Sequence, residues 1–394
     1  MRTFTCLASV VWLAGTAAAS PRYDIDGDGF DDATLDSRLL YFGSAKGLVP
    51  GTAPAFPRVK PNQPVLFFAL EVVGDVNGDG FADVVLGDPA CPPYARDMPQ
   101  CEIGAVHLFL GGPKRLAAKP VQTITAKTKD SQLGMRVIAL GDIDGDKLAD
   151  VALPDRTGVH IYRGTKTGLS TTPIDLAGAQ LQPVGDLDRD GKIDLLAIGP
   201  QAATIYYGGD LKRTLALPLG GDAEFYGTAG SGDFDGDGFG DLAITVEPSS
   251  PTGNLVANDV LIYRGSAKGL VIAKKTRFTR DHVRAEFGGM FASVGDLDGD
   301  KRDDLVIVAT CSAFDDKASS CNAGAAYVYL GGAKGLTGKP VATLTPKRTN
   351  MGIGGNSLTV LGDVDGDKRP DFAYGAYVYR GAKGGLASTT PPSL

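Results

Sequence analysis

Nine residues decide the reading: Asp296-Leu297-Asp298-Gly299-Asp300-Lys301-Arg302-Asp303-Asp304, followed at once by the apolar run Leu305-Val306-Ile307-Val308. Acids at positions 1, 3, 5 and 9 of so short a stretch repel one another unless a cation sits among them. A hard divalent cation takes about six to eight oxygens, and a tight turn of this kind can supply several. An EF-hand loop begins in the same way, but it needs a bidentate Glu at position 12. That position is Ile307, inside a run with strand character.

Outward from this stretch the pattern D-x-[DN]-x-D-x-x-x-D recurs. It is found at Asp24, Asp26, Asp28 and Asp32, at Asp75, Asn77, Asp79 and Asp83, and at Asp142, Asp144, Asp146 and Asp150. Further copies are Asp186, Asp188, Asp190 and Asp194, then Asp233, Asp235, Asp237 and Asp241, and finally Asp363, Asp365, Asp367 and Asp371. With Asp296, Asp298, Asp300 and Asp304 these make seven loops whose starts lie 44 to 67 residues apart. Position 12 of the others is Leu35, Leu86, Leu153, Ala197, Ile244 or Tyr374, never Glu, so a chain of helix-loop-helix modules is rejected.

Each loop has the same surroundings. An apolar segment ending in Gly-Asp precedes it, as in Val137-Ile138-Ala139-Leu140-Gly141, and a short apolar segment follows. A third segment ends in Gly: Val159-His160-Ile161-Tyr162-Arg163-Gly164, Val260-Leu261-Ile262-Tyr263-Arg264-Gly265 and Ala376-Tyr377-Val378-Tyr379-Arg380-Gly381. A turn of the type Ser44-Ala45-Lys46-Gly47-Leu48 leads to a weaker fourth. Four short strands per repeat without helical periodicity describe a propeller blade. The expected fold is therefore all-β, a seven-bladed β-propeller over residues 20–394 with an acidic loop between the first two strands of each blade. Only Ser20 to Tyr23 precede the first loop and can serve as blade one's first strand, so the ring is expected to close imperfectly or with help from the Pro-rich end Ala387 to Leu394.

Composition agrees. Only five of the 46 acids are Glu and there are 54 Gly, which is poor helix material. Hydrophobic residues make up 43% and charged residues 22%, and no apolar run of 18 follows the N-terminus, which argues against disorder and a membrane span. Arg2, the apolar stretch Phe4 to Ala14 and the small residues Thr16 to Ser20 predict a secretory signal over residues 1–19, cut near Ala19. The expected location is secreted, periplasmic or at the cell surface. Cys6 leaves with the signal, and Cys91, Cys101, Cys311 and Cys321 remain as two pairs with equal spacing and similar context. Four cysteines allow three connectivities. The shared context argues for Cys91 with Cys101 and Cys311 with Cys321, and neither spacing suits zinc.

The repeats resemble the FG-GAP family, the calcium-bearing blades of integrin alpha subunits and of many secreted bacterial proteins. The family's Phe-Gly is intact at Phe287-Gly288, with approximations at Leu133-Gly134 and Tyr226-Gly227. Its Gly-Ala-Pro element survives as Gly87-Asp88-Pro89, Gly199-Pro200 and Gly375-Ala376. The resemblance implies about seven Ca²⁺ ions and adds a backbone carbonyl ligand at position 7: Phe30, Phe81, Leu148, Lys192, Phe239, Arg302 and Arg369. Position 6 is Gly in four loops but Lys147, Lys301 and Lys368 in three, where a left-handed backbone is expected to be strained. Those three sites, and the one with Asn77, are expected to be weaker.

Catalysis lacks obvious players. The histidines are His107, His160 and His282, and the first two occupy a strand position that other blades fill with Leu261, Tyr327 and Tyr377. No catalytic residues and no enzyme activity are expected. Lys46, Lys166, Lys268, Lys334 and Lys383 recur in one turn, which reads as a solvated turn rather than a nucleic-acid track. The connections between strands two and three carry the long insertions Pro89 to Glu102, Glu247 to Asp259 and Cys311 to Asn322. Arg277, Arg280, Arg284, Lys347 and Arg348 join them on the end opposite the acidic loops. The expectation is a monomeric binding or adhesion module for an extracellular protein or glycan, with an anionic partner favoured. A glycan-binding lectin is the alternative, and a polysaccharide-active enzyme comes third.

Overall fold

The computed structural model describes residues 23–30, 32–35, 39–44, 49–51, 69–89, 104–113, 115–128, 131–177, 180–198, 203–217, 224–247, 259–279, 287–315, 320–345, 358–363, 367–375 and 377–389. Among the described residues every regular element is a strand. The chain divides into two units, one of residues 21–183 with 208–211, the other of residues 184–207 with 212–394.

In the first unit a three-stranded sheet is formed by Ala33–Leu35, Leu39–Phe42 and Val49–Pro50. The second sheet runs Ala69–Gly74, Asp83–Asp88, Ala105–Phe109 and Gln122–Thr125. The third runs Ile138–Gly141, Asp150–Pro154, Gly158–Tyr162 and Ile174–Ala177, with a small ribbon of Gly164–Thr165 and Gly168–Leu169. In the second unit, Leu195–Ile198, Ala203–Tyr206 and Thr214–Leu217 pair in order. Glu224–Gly232, Asp241–Glu247, Asp259–Arg264 and Val271–Thr279 follow. Then come Phe287–Gly295, Asp304–Asp315, Ser320–Tyr329 and Ala342–Leu344, and last Leu358–Gly362, Asp371–Tyr374, Tyr377–Ala382 and Gly385–Leu386. The paired strands are antiparallel and follow chain order, save that the small ribbon intervenes between Gly158–Tyr162 and its partner Ile174–Ala177.

The register shows that these are copies of one unit. The twelfth residue of each loop faces the same third-strand position: Leu86 opposite His107, Leu153 opposite His160, Ile244 opposite Leu261, Ile307 opposite Tyr327 and Tyr374 opposite Tyr377. The second strands are apolar on both faces because both are covered. In the first unit Val73, Val85, Leu108, Val151 and Leu153 share one core. In the second, Phe234, Phe287, Phe291, Ile307 and Tyr327 form another, with the Phe287 and Tyr327 rings edge to face at 5.9 Å.

The acidic loops lie between the first two strands wherever a first strand is described, and for the first sheet no strand ahead of its loop falls among the described residues. Two details differ. Part of the Cys311 to Asn322 segment is strand rather than loop, because Asp304–Asp315 and Ser320–Tyr329 pair outward through bulges as far as Asp315 and Ser320. Cys311 and Cys321 therefore lie on neighbouring strands of one hairpin, with Cys321 opposite Phe314. Arg277 likewise stands in the strand Val271–Thr279 and not in a connection. Cys91, Cys101, Arg280, His282, Arg284, Lys347 and Arg348 lie outside the described residues.

Candidate metal centres

The first Asp of each loop is its organiser. Asp24 accepts hydrogen bonds from the N–H groups of Gly27, Asp28 and Gly29 at 2.7, 3.2 and 2.9 Å. Asp296 does the same for Gly299, Asp300 and Lys301 at 2.7, 2.9 and 2.7 Å. This winding forces a positive φ at position 6, where Gly29 stands at 94°, Lys147 at 71°, Lys301 at 70° and Lys368 at 70°. The three lysines carry the strain that the sequence predicted. Position 4 is left-handed too, and Arg189 takes it at 61°, an exception that the sequence reading passed over.

The ninth residue is buried and joins the loop to the end of the third strand. Asp83 accepts from Val76 N–H at 2.9 Å and Gly111 N–H at 3.0 Å. Asp150 bridges Ile143 and Gly164, and Asp304 bridges Leu297 and Gly331. The glycine is demanded by crowding, since a Cβ on Gly111 would stand 2.2 Å from the Ala82 carbonyl and one on Gly265 would stand 2.3 Å from that of Gly240. Successive loops are also tied to each other. The position 8 amide donates to the position 1 carbonyl of the preceding loop, Ala82 to Asp24 at 2.9 Å, Ala149 to Asp75 at 2.8 Å and Asp303 to Asp233 at 3.0 Å.

Five loops gather three carboxylates with one oxygen from each within 4.8 Å of the others. In two of them the set is Asp24, Asp26 and Asp32, and Asp186, Asp188 and Asp194. In three it is Asp142, Asp144 and Asp146, Asp233, Asp235 and Asp237, and Asp296, Asp298 and Asp300. The other two loops are not among these groups of described residues. Asn77 brings no carboxylate, and its amide donates to Asp79 at 3.0 Å, while Asp365 lies outside the described residues. Burial, the largest cause, pushes Asp32, Asp83, Asp150 and Asp241 up to about 7 and Asp304 to about 8 against the pull of their backbone donors. A cation among these groups would favour their ionised forms.

The donor set fits a hard divalent ion. One oxygen of Asp26 and one of Asp188, the Oδ1 in each, is buried without a hydrogen-bond partner, and such an acceptor is costly unless a positive charge meets it. Sequence reasoning missed the arginines beside these loops. Arg163 reaches Asp144 at 2.8 Å, Arg115 reaches Asp26 at 3.4 Å, and Arg213 and Arg264 pair with Asp188 and Asp235. The signal available was the dipeptide Arg-Gly at 163–164, 264–265 and 380–381. Position 7 side chains fold back on position 5, Lys192 on Asp190 at 2.9 Å and Arg302 on Asp300 at 2.8 Å.

The FG-GAP repeat profile matches residues 69–109, which hold the second acidic loop and the strands on both sides of it. Over this stretch the chain is similar to the FG-GAP repeat family and to integrin alpha subunits. Human integrin alpha-IIb is 30% identical over 171 residues, 38% of this chain and 16% of that protein. Chicken integrin alpha-V is 29% identical over 209 residues, 49% of this chain and 19% of that protein. The chain thus matches under a fifth of the length of these relatives. Among solved structures, an Agrocybe aegerita lectin described for recognition of non-reducing terminal N-acetylglucosamine superposes with a TM-score of 0.53 at 14% identity, over 89% of this chain and 86% of the lectin. That likeness concerns the fold.

Proposed function

We propose that this chain is a secreted, calcium-stabilised seven-bladed propeller that binds an extracellular protein or glycan. The observation that carries the metal assignment is the buried, unpaired Oδ1 of Asp188, 8% exposed, within a group of three carboxylates. An all-oxygen set in a short loop suits Ca²⁺, which takes about six to eight oxygens, better than Mg²⁺, which demands an octahedron and keeps its waters. Asp, Asn77 and the position 7 carbonyls of Phe30, Phe81, Leu148, Lys192, Phe239, Arg302 and Arg369 would hold the ions. Binding is assigned to the strand two to three connections, which lie at the sheet ends away from the acidic loops, braced by Cys91–Cys101 and Cys311–Cys321 disulfides. Loops on a rigid scaffold are the usual place for recognition. The function class rests on the integrin-like resemblance, since integrin alpha subunits and lectins are binding proteins.

Metal analysis of the purified chain should find close to seven calcium ions, one per motif. Excess chelator should lower the thermal midpoint by at least about 5 °C, because every ion lost removes its own linkage term. Fewer than five ions, or an unchanged midpoint, would rule the reading out.

A further inference from the structure

Four arginines converge on one atom of the repeat, the Oδ2 of the position 3 carboxylate: Arg115 on Asp26, Arg163 on Asp144, Arg213 on Asp188 and Arg264 on Asp235. They arrive by two routes. Arg163 and Arg264 directly precede the glycine that ends the third strand. Where an aromatic residue stands in that place, the arginine comes from a different segment and lies over the ring. Arg115 is 4.0 Å from the Phe42 centroid and Arg213 is 3.8 Å from that of Tyr207. Where leucine stands there, as Leu110 and Leu330, no arginine is paired with position 3 among the described residues, and in one of these two loops position 3 is the uncharged Asn77.

The opposite oxygen is left for the loop. Oδ1 is unpaired and buried in Asp26 and Asp188, and accepts only a loop amide in Asp144 and Asp235, at 3.3 and 3.2 Å. We propose that these arginines are resident counter-charges: each fixes Oδ2 so that Oδ1 faces the loop, and each keeps its loop ordered when the cation is lost while weakening the cation's hold. This rests on the calcium reading above. The guanidinium remains charged at every accessible pH. With a divalent ion on the far side of the same carboxylate the two positive charges stand roughly 6 Å apart, a repulsion equivalent to about tenfold in affinity at a half-exposed site. Without the ion, the same charge offsets the crowding of three acids. Sequence and structure therefore divide the loops into those whose position 3 carboxylate is paired with arginine, at Asp26, Asp144, Asp188 and Asp235, and those where no such pair is described, at Asn77 and at Asp298, which only feels the Arg369 guanidinium beside its loop.

The test uses the full chain, with thermal midpoints in excess calcium and in excess chelator and with calcium titration calorimetry. In an Arg163→Gln, Arg264→Gln variant the chelator midpoint should fall by about 3 °C or more with a much smaller fall in calcium, so the interval between the two widens. Two sites should also bind calcium about tenfold more tightly. Leu330→Arg, which brings a guanidinium toward Asp298, should narrow the interval. Equal falls in both conditions, or an interval that narrows in the double variant, overturn the proposal and leave the arginines as ordinary packing. A wild-type chain with no interval at all would overturn the calcium reading itself, and this proposal with it.

Discussion

His160 is gripped from both sides. Its Nδ1 lies 2.6 Å from Asp175 and its Nε2 lies 3.1 Å from Asp155 and 3.2 Å from the Thr157 hydroxyl. Burial pulls its pKa down, but the hydrogen bonds to Asp175 and Asp155 outweigh that and hold it above the ordinary 6.5. A pKa raised in the folded state contributes stability that is fully present below about 6.5 and is lost as pH rises through the folded value. The wild-type midpoint should therefore decline between pH 6 and 8 by about 1–2 °C more than that of His160→Gln, a small effect because the site is partly exposed. Parallel pH profiles, measured at constant calcium, would show that the clamp contributes nothing. His107 differs because burial lowers its pKa, and its Nδ1 meets the Thr123 hydroxyl at 2.9 Å. Their shared strand position, opposite Leu86 and Leu153, was legible from the repeat. Their partners were not, since Asp175 is 15 residues downstream in the fourth strand and no local pattern marks it.

The ninth Asp of each loop does two jobs in its element, and only one of them can be read from the motif. As a proposed ligand it belongs to an acidic pattern visible in the sequence. As a staple it takes two backbone donors, Leu297 at 2.8 Å and Gly331 at 2.7 Å in the case of Asp304, and this depends on a strand end 27 residues away. The glycines that close the third strand were visible, but not why they are glycines. The reason is a neighbouring carbonyl, as at Gly331, where a Cβ would stand 2.7 Å from Asp303 O. The two jobs can be separated. Asp304→Asn replaces an acceptor by an NH₂ group facing an amide N–H, so it should cost about 2 kcal/mol even with chelator, and more with calcium, where the proposed ligand is lost as well. Asp300→Asn alters an exposed carboxylate that otherwise meets Arg302, so it should lower stability in calcium and change little in chelator. If both variants behave alike in denaturant titrations under the two conditions, the staple is not a separate contribution.

Among the described residues the repeat period and the up-and-down order of the four-stranded sheets could be read from the sequence, because apolar runs bounded by Gly-Asp and by Gly leave few alternatives. The charge pattern could be read as well. The chain carries a formal −7, yet 27 of its 46 acids belong to the motifs, leaving only 19 other acids against the 39 bases of the whole chain. Filling the loops with divalent ions would make the protein net positive, and the excess would then be felt by partners over about 10 Å at moderate ionic strength. Connections between sheets were harder to read, because they have no periodicity and part of one turned out to be strand. Binding of an acidic polysaccharide to the calcium-loaded chain tests where that charge acts. The sequence pattern alone leads one to expect Arg280, Arg284 and Arg348 in connections at the sheet ends opposite the acidic loops, and Lys46, Lys268 and Lys334 in turns on the acidic-loop side. Changing the first three to Glu should weaken binding at least about tenfold and flatten its salt dependence. The same change at the three lysines should have little effect. Equal losses from both sets would mean that only net charge attracts the polymer, and the assignment of recognition to the strand two to three end would have to be abandoned.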